Sequence, residues 1–96
     1  MQKRQPTQIN DLLHMFLRAE GLETPYNQYR IKAAWPEVMG QAIMKYTGEM
    51  YIKGQTLYIE IKSPTLKNDL ALSRKSLVQK LNSHINAQVI TDIQFR

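Results

Sequence analysis

The spacing of apolar residues changes between Tyr46 and Met50, and that change limits the fold more than any single residue does. Before it, Ile31, Trp35, Val38, Met39, Ala42 and Tyr46 recur at intervals that keep them on one side of a helix. After it, Met50 and Ile52 alternate with Tyr51 and Lys53, and Leu57, Ile59 and Ile61 alternate with Tyr58, Glu60 and Lys62, which is the period of strands. Gly54-Gln55 separates the two alternating runs and fits a two-residue turn with glycine first. This register puts Ile52 opposite Leu57 on the core side, Tyr51 opposite Tyr58 on the other side, and Glu49 opposite Glu60.

The flanking segments supply helices and one more strand. Thr7 is placed to cap a first helix whose stripe is Ile9, Leu12, Leu13, Phe16 and Leu17, with Gly21 as its end. Thr24-Pro25 opens a second helix, threonine as cap and proline first. Pro36 lacks an N–H and crowds the Lys32 carbonyl, so the second helix is expected as a kinked rod or two nearly coaxial pieces. Gly40 is expected to admit a close backbone. Ser63-Pro64 opens a third helix with buried stripe Leu66, Leu70, Leu77, Leu81 and Ile85, and Asn86 ends it. Val89, Thr91, Ile93 and Phe95 alternate in a last strand. The fold class is α+β, in the order α-α-β-β-α-β, with a three-stranded sheet and helices packed on one face. Residues 1–96 make one domain, of which 1–6 are expected to be loose.

Composition narrows the function. Thirteen Lys and Arg oppose eight Asp and Glu, a net charge of +5, which favours nucleic acid or another polyanion as partner. The chain has no cysteine, so neither a disulfide framework nor a thiolate metal site is available. No apolar stretch approaches the roughly 20 residues that cross a bilayer, and no secretory pattern follows the basic N-terminus. A cytoplasmic protein without membrane contact is the expectation.

Catalytic constellations are not visible. His14 and His84 are the only histidines and fall on different helices, without an HExxH-type spacing. Neither a GxSxG elbow nor a GxxxxGK[ST] phosphate loop occurs. The chain is read as a non-enzyme with no metal site, no cofactor and no small-molecule substrate.

Candidate nucleic-acid contacts come from side-chain direction. Trp35 lies on the helical stripe and reads as a core anchor. Tyr51 and Tyr58 form a cross-strand pair away from the core, and Lys53 and Lys62 share that face. Aromatics interleaved with lysines on an open sheet suit single strands, because bases stack while phosphates take the charge. The more ordinary outcome is that the first helix folds over this face and buries both tyrosines. On the third helix Arg74 falls inside the apolar arc, where reaching out to the rim is the ordinary outcome and a positioned phosphate or carboxylate contact the sharper one. With Lys67, Lys75 and Lys80 it can form one basic surface, a solvated charged face being the default. Arg96 completes the set.

Taken together, Trp35-x-x-Val38-x-Gly40, Gly54-x-x-Leu57-x-Ile59-x-Ile61, Ser63-Pro64-x-Leu66-x-x-x-Leu70, Leu77-x-x-x-Leu81-Asn82 and Ile93-x-Phe95-Arg96 resemble the DciA-like family over about residues 8–96. The resemblance implies a KH-like module that helps load or operate the bacterial replicative DNA helicase, associates with that helicase and with DNA, and hydrolyses no nucleotide. Leu66 stands where family members often carry tryptophan. The GxxG loop of true KH domains is missing, so their four-nucleotide clamp does not carry over.

The resulting expectation is a DNA-replication accessory. It binds the replicative helicase and contacts single- or double-stranded DNA without sequence preference. Tyr51 and Tyr58 stack bases, and Lys53, Lys62, Lys67, Arg74, Lys75, Lys80 and Arg96 meet phosphates. The competing reading is an RNA- or ribosome-associated module using the same sheet.

Overall fold

The computed structural model describes residues 5–21 and 23–96. Of the segment expected to be loose, residues 1–4 lie outside the described ones. Gln5 and Pro6 already belong to the first helix, α1 (Gln5–Ala19), and so does Thr7, which therefore does not precede the helix as a cap. The side chains of Thr7 and Ile9 lie outside the described residues.

The second helix, α2 (Glu23–Met39), takes in Thr24 and Pro25 in its first turn, so the pair sits inside the helix and not at its threshold. It also passes through Pro36 without ending. The interruption comes at Gly40, whose φ of 86° and ψ of 172° belong to a region that only glycine enters without strain. No atom lies within 4 Å of a Cβ built there. Gly40 is thus required for its backbone angles and not, as expected, for the close approach of another chain segment. A short helix, α3 (Gln41–Met44), follows. The break resets the helical phase. Ile31, Ala34 and Trp35 are fully buried before it, whereas the expected Ala42 and Tyr46 are exposed, and Ile43 and Met44 pack on the core in their place. Trp35 Nε1 donates to Thr47 Oγ1 at 3.1 Å, and that hydroxyl donates to the Ile43 carbonyl at 3.0 Å, tying both helices to the first strand.

The sheet is mixed. β1 (Thr47–Lys53) and β2 (Thr56–Ile61) form the expected hairpin across Gly54-Gln55, with Ile52 opposite Leu57 and Tyr51 opposite Tyr58. Between Thr47 and Met50 the register shifts by a bulge, so Gly48 and Glu49 together oppose Glu60. The simple Glu49–Glu60 pairing is therefore replaced. The Glu60 carboxylate accepts the Glu49 N–H at 3.2 Å, and a Cβ on Gly48 would overlap that carboxylate. β2 is the central strand, and β3 (Asp92–Phe95) pairs with it in parallel, Leu57 beside Ile93 and Ile59 beside Phe95.

A parallel return needs a crossover, and two helices supply it. α4 (Pro64–Leu72) starts as expected, with Ser63 Oγ accepting the Leu66 N–H at 3.3 Å. The single third helix expected from the leucine stripe is divided at Ser73, where φ −102° and ψ 16° leave the helical region, and α5 (Arg74–Ile85) begins anew. Leu70, Leu77, Leu81 and Ile85 are buried and Leu66 partly so. Asn86 ends α5 in the left-handed conformation, φ 58°.

The last strand is shorter than its alternation suggests. Residues 87–91 are irregular, and Ile90, at 2 % exposure, is buried where Val89 was expected. The cause is Asn82, itself 2 % exposed inside the leucine stripe. Its Oδ1 accepts the N–H groups of Val89 and Ile90 at 3.0 and 3.2 Å, and its Nδ2 donates to the Ile90 carbonyl at 2.8 Å. This amide does for a buried loop what a neighbouring strand does in a sheet.

The helices and the core lie against one face of the sheet, where Leu57, Ile59, Ile61 and Ile93 meet Trp35, Leu70, Leu77 and Leu81. α1 packs on α2. Its expected buried stripe is largely uncovered: Leu17 is buried, but Leu12 and Phe16 are more than half exposed and Leu13 is exposed too, as is Met15 beside the stripe.

Two substitutions test these supports. Asn82→Ala leaves two N–H groups and one carbonyl unpartnered, and is expected to lower stability by about 2–4 kcal/mol in urea denaturation. Gly40→Ala is expected to cost about 1–2 kcal/mol in the same assay. Unchanged midpoints would show that neither the amide nor the backbone angle supports the fold.

Candidate nucleic-acid interface

Alternation along β1 and β2 directs Tyr51 and Tyr58 to the sheet face that the helices leave open. The two rings stack on each other, centroids 4.9 Å apart and planes 10° from parallel. Contrary to expectation, α1 does not fold over them. It stands on the helical side, where a cleft is lined by Leu13, His14 and Arg18 of α1, by Tyr26 and Arg30 of α2, and by Ile85 at the end of α5. Both tyrosines remain partly accessible.

Arg96 joins the pair from the end of β3. Its guanidinium carbon lies 5.3 Å from the Tyr51 centroid, within cation–π range. Each ring turns one face to the other, and the Arg96 guanidinium lies over Tyr51. Lys53, at the hairpin end of β1, and Lys62, just after β2, are exposed and continue the same alternation. Gln94, beside Tyr58 on β3, is exposed as well.

This face is not uniformly cationic. Glu49, Glu60 and Asp92 stand among Lys53, Lys62 and Arg96. Asp92 accepts the Ile93 N–H at 2.8 Å and receives Gln94 Nε2 at 3.2 Å. It also pairs with Arg74, Nε to Oδ1 at 3.1 Å. Arg74 is thus outside the apolar arc in which a continuous helix would hold it. The break at Ser73 makes it the first residue of α5, aimed at the start of β3. Its charge is already matched by a carboxylate.

The nine residues singled out by sequence consequently separate into two groups. Tyr51, Tyr58, Lys53, Lys62 and Arg96 share the open sheet face. Lys67, Arg74, Lys75 and Lys80 ride on α4 and α5, which cover the other face. Lys75 and Lys80 are exposed and Lys67 is half-buried. One ligand does not lie flat on both groups at once.

Other polar groups have structural duties that sequence reasoning missed. Arg30 Nη2 donates to the Ile85 carbonyl at 2.6 Å, placing a cation at the negative end of α5, and its guanidinium lies 5.6 Å from the Tyr26 ring. His84 Nε2 meets Glu37 Oε1 at 2.6 Å, joining α5 to α2 at the surface. No group of three metal-binding side chains occurs among the described residues. No helix among them is long and apolar enough to cross a membrane.

The open face thus presents a stacked aromatic pair with Arg96 against it and lysines nearby. A search of curated proteins returns no match. A protein-family comparison does: the family described as Dna[CI] antecedent, DciA, matches residues 8–95, nearly the whole chain. The chain belongs to the DciA family, a DNA-replication family with a general role in helicase loading.

Proposed function

We propose that this protein assists loading of the replicative DNA helicase by binding the helicase and by contacting DNA without sequence preference, as a KH-like module without the GxxG clamp. The observation that carries the DNA half is the Tyr51–Tyr58 stack on an uncovered sheet face, with Arg96 against it and Lys53 and Lys62 nearby. Stacking on tyrosine is indifferent to base identity, which suits a loader that must act at any sequence. It requires an unpaired base, so single strands are the favoured ligand. Phosphates of the same strand meet the exposed Lys53 and Lys62 heads.

The helicase half is supported by family membership. The surface that suits it is the outer side of α1, where Leu12, Met15 and Phe16 form an apolar ridge of a kind that marks protein contacts. That ridge lies away from the tyrosines, so DNA and helicase do not compete for the same side chains.

Titration of a fluorescent single-stranded oligonucleotide tests the first half. Affinity is expected to fall with salt at a log–log slope of about 2, for three cations at ~0.7 each. Tyr58→Ala is expected to weaken binding by roughly tenfold, since each stacked base contributes about 1–3 kcal/mol. Lys75→Glu combined with Lys80→Glu should weaken it less. A duplex bound more tightly than the strand, or a tyrosine variant that binds normally, rejects the stacking reading. Tighter binding of a matched RNA favours the ribonucleoprotein alternative. For the second half, Leu12→Asp with Phe16→Asp is expected to abolish co-elution with the helicase of the same organism while leaving DNA affinity intact. Retained co-elution would move the contact off α1.

A further inference from the structure

β1 is an edge strand: the order in the sheet is β1-β2-β3, and only β2 has neighbours on both sides. An edge strand presents unpaired backbone groups, and proteins usually blunt it. Here the bulge falls at Gly48-Glu49. It leaves the run from Met50 to Lys53 regular, with Glu49 just before it.

The hairpin fixes which groups face outward. Lys53 and Thr56 close the two-residue turn and so exchange both of their backbone bonds. Alternation then makes Tyr51–Tyr58 a bonded pair and leaves Ile52–Leu57 and Met50–Ile59 as non-bonded pairs. The N–H and C=O groups of Met50 and Ile52 therefore point to the free edge.

The side chains of the same run are self-complementary. Glu49-Met50-Tyr51-Ile52-Lys53 reads acid, apolar, aromatic, apolar, base, symmetric in type about Tyr51 and opposite in charge at its ends. Glu49, Tyr51 and Lys53 share one face, and the partly buried Met50 and Ile52 share the other.

We propose that β1 pairs antiparallel with β1 of a second copy of this chain, about a two-fold axis through Tyr51. Backbone parity and charge both select this register. Met50 meets Ile52 of the second copy, and each exchanges an N–H and a C=O with the other. The symmetric contact repeats this on the other side of the axis. Glu49 meets Lys53 of the second copy, and Lys53 meets its Glu49. Tyr51 meets Tyr51 in a non-bonded pair, where side chains lie closest. Slipping the register by two residues in either direction keeps the backbone parity but loses both ion pairs. The contact is isologous and closed, so it stops at a dimer.

The dimer carries one six-stranded sheet, with the tyrosine pairs of both copies in a single row across the open face. That consequence bears on DNA only if the stacking reading above holds. The pairing itself does not rest on it.

Sedimentation equilibrium without DNA tests the pairing. The protein is expected to dimerise reversibly. Glu49→Lys, or Lys53→Glu, sets two like-charge pairs across the axis and is expected to weaken the dimer about tenfold or more. The double variant Glu49→Lys with Lys53→Glu restores opposite charges and is expected to restore the dimer. A wild-type protein that stays monomeric at every concentration overturns the proposal. So does a dimer indifferent to the single reversals, or one not recovered by the double. Cysteine cross-linking guards against a variant that misfolds. The chain has no cysteine of its own, so Tyr51→Cys is expected to give a disulfide-linked dimer on mild oxidation, whereas Lys75→Cys on α5 is not. No cross-link at Tyr51→Cys rejects the axis. Because DNA is absent, these outcomes stand apart from those of the oligonucleotide titration.

Discussion

Fold and candidate site both hang on the two-residue period of β2. Leu57 and Ile59 are fully buried and Ile61 nearly so, and between them Tyr58 and Glu60 turn the other way. A slip of one residue would send that apolar row into water and bring Tyr58 into the core. Burying three such side chains is worth roughly 1.5–3 kcal/mol each, so the core side of the strand holds its register firmly. The tyrosine pair owes its place to that hold. It makes few contacts with the rest of the core, yet its position is fixed by residues it does not touch.

The helical layer solves a different problem. One face of a short three-stranded sheet must be covered by segments whose apolar stripes are not continuous. Gly40 and Ser73 each break a helix where phase would otherwise carry apolar residues away from the sheet. After Gly40 the chain presents Ile43 and Met44 to the core and releases Tyr46 to solvent. After Ser73 it presents Leu77, Leu81 and Ile85, while Leu72, the residue before the break, is left 88 % exposed. The breaks also place polar groups. Arg74 becomes a helix-starting residue in reach of Asp92, and Thr47 comes within reach of the Trp35 indole.

What the sequence made legible follows from how local each determinant is. The hairpin and its facing tyrosines were readable because alternation and a two-residue turn fix register within a dozen residues. Ser63 as cap and Asn86 as terminator were readable for the same reason. The bulge was not, since what lies against Gly48 is the Glu60 carboxylate across the strand. The divided third helix was hidden because serine tolerates both helical and broken backbones. Asn82 read as a polar gap in a leucine stripe, and its role depends on a loop several residues further on. On α1, periodicity announced an apolar face correctly but carries no information on what covers it. The split of the basic candidates into two groups was out of reach until the layers were assigned.

That split decides how charge acts. Among the described residues, three cations of the open face stand against three carboxylates, so that face carries little of the net charge they contribute. More positive charge lies on α4 and α5, which carry Lys67, Lys75 and Lys80 against Asp69, with Arg74 paired to Asp92. A helix layer packs about 10 Å from the sheet, and the Debye length at physiological salt is ~8 Å. Those helical cations are therefore largely screened from a strand lying on the tyrosines. They meet a polyanion that approaches the helical face, and so bear on the rate of encounter more than on the time a ligand stays at the tyrosines. In the function proposed above, aromatic stacking and the few lysine and arginine heads beside it are what would hold a strand, a construction that suits easy release.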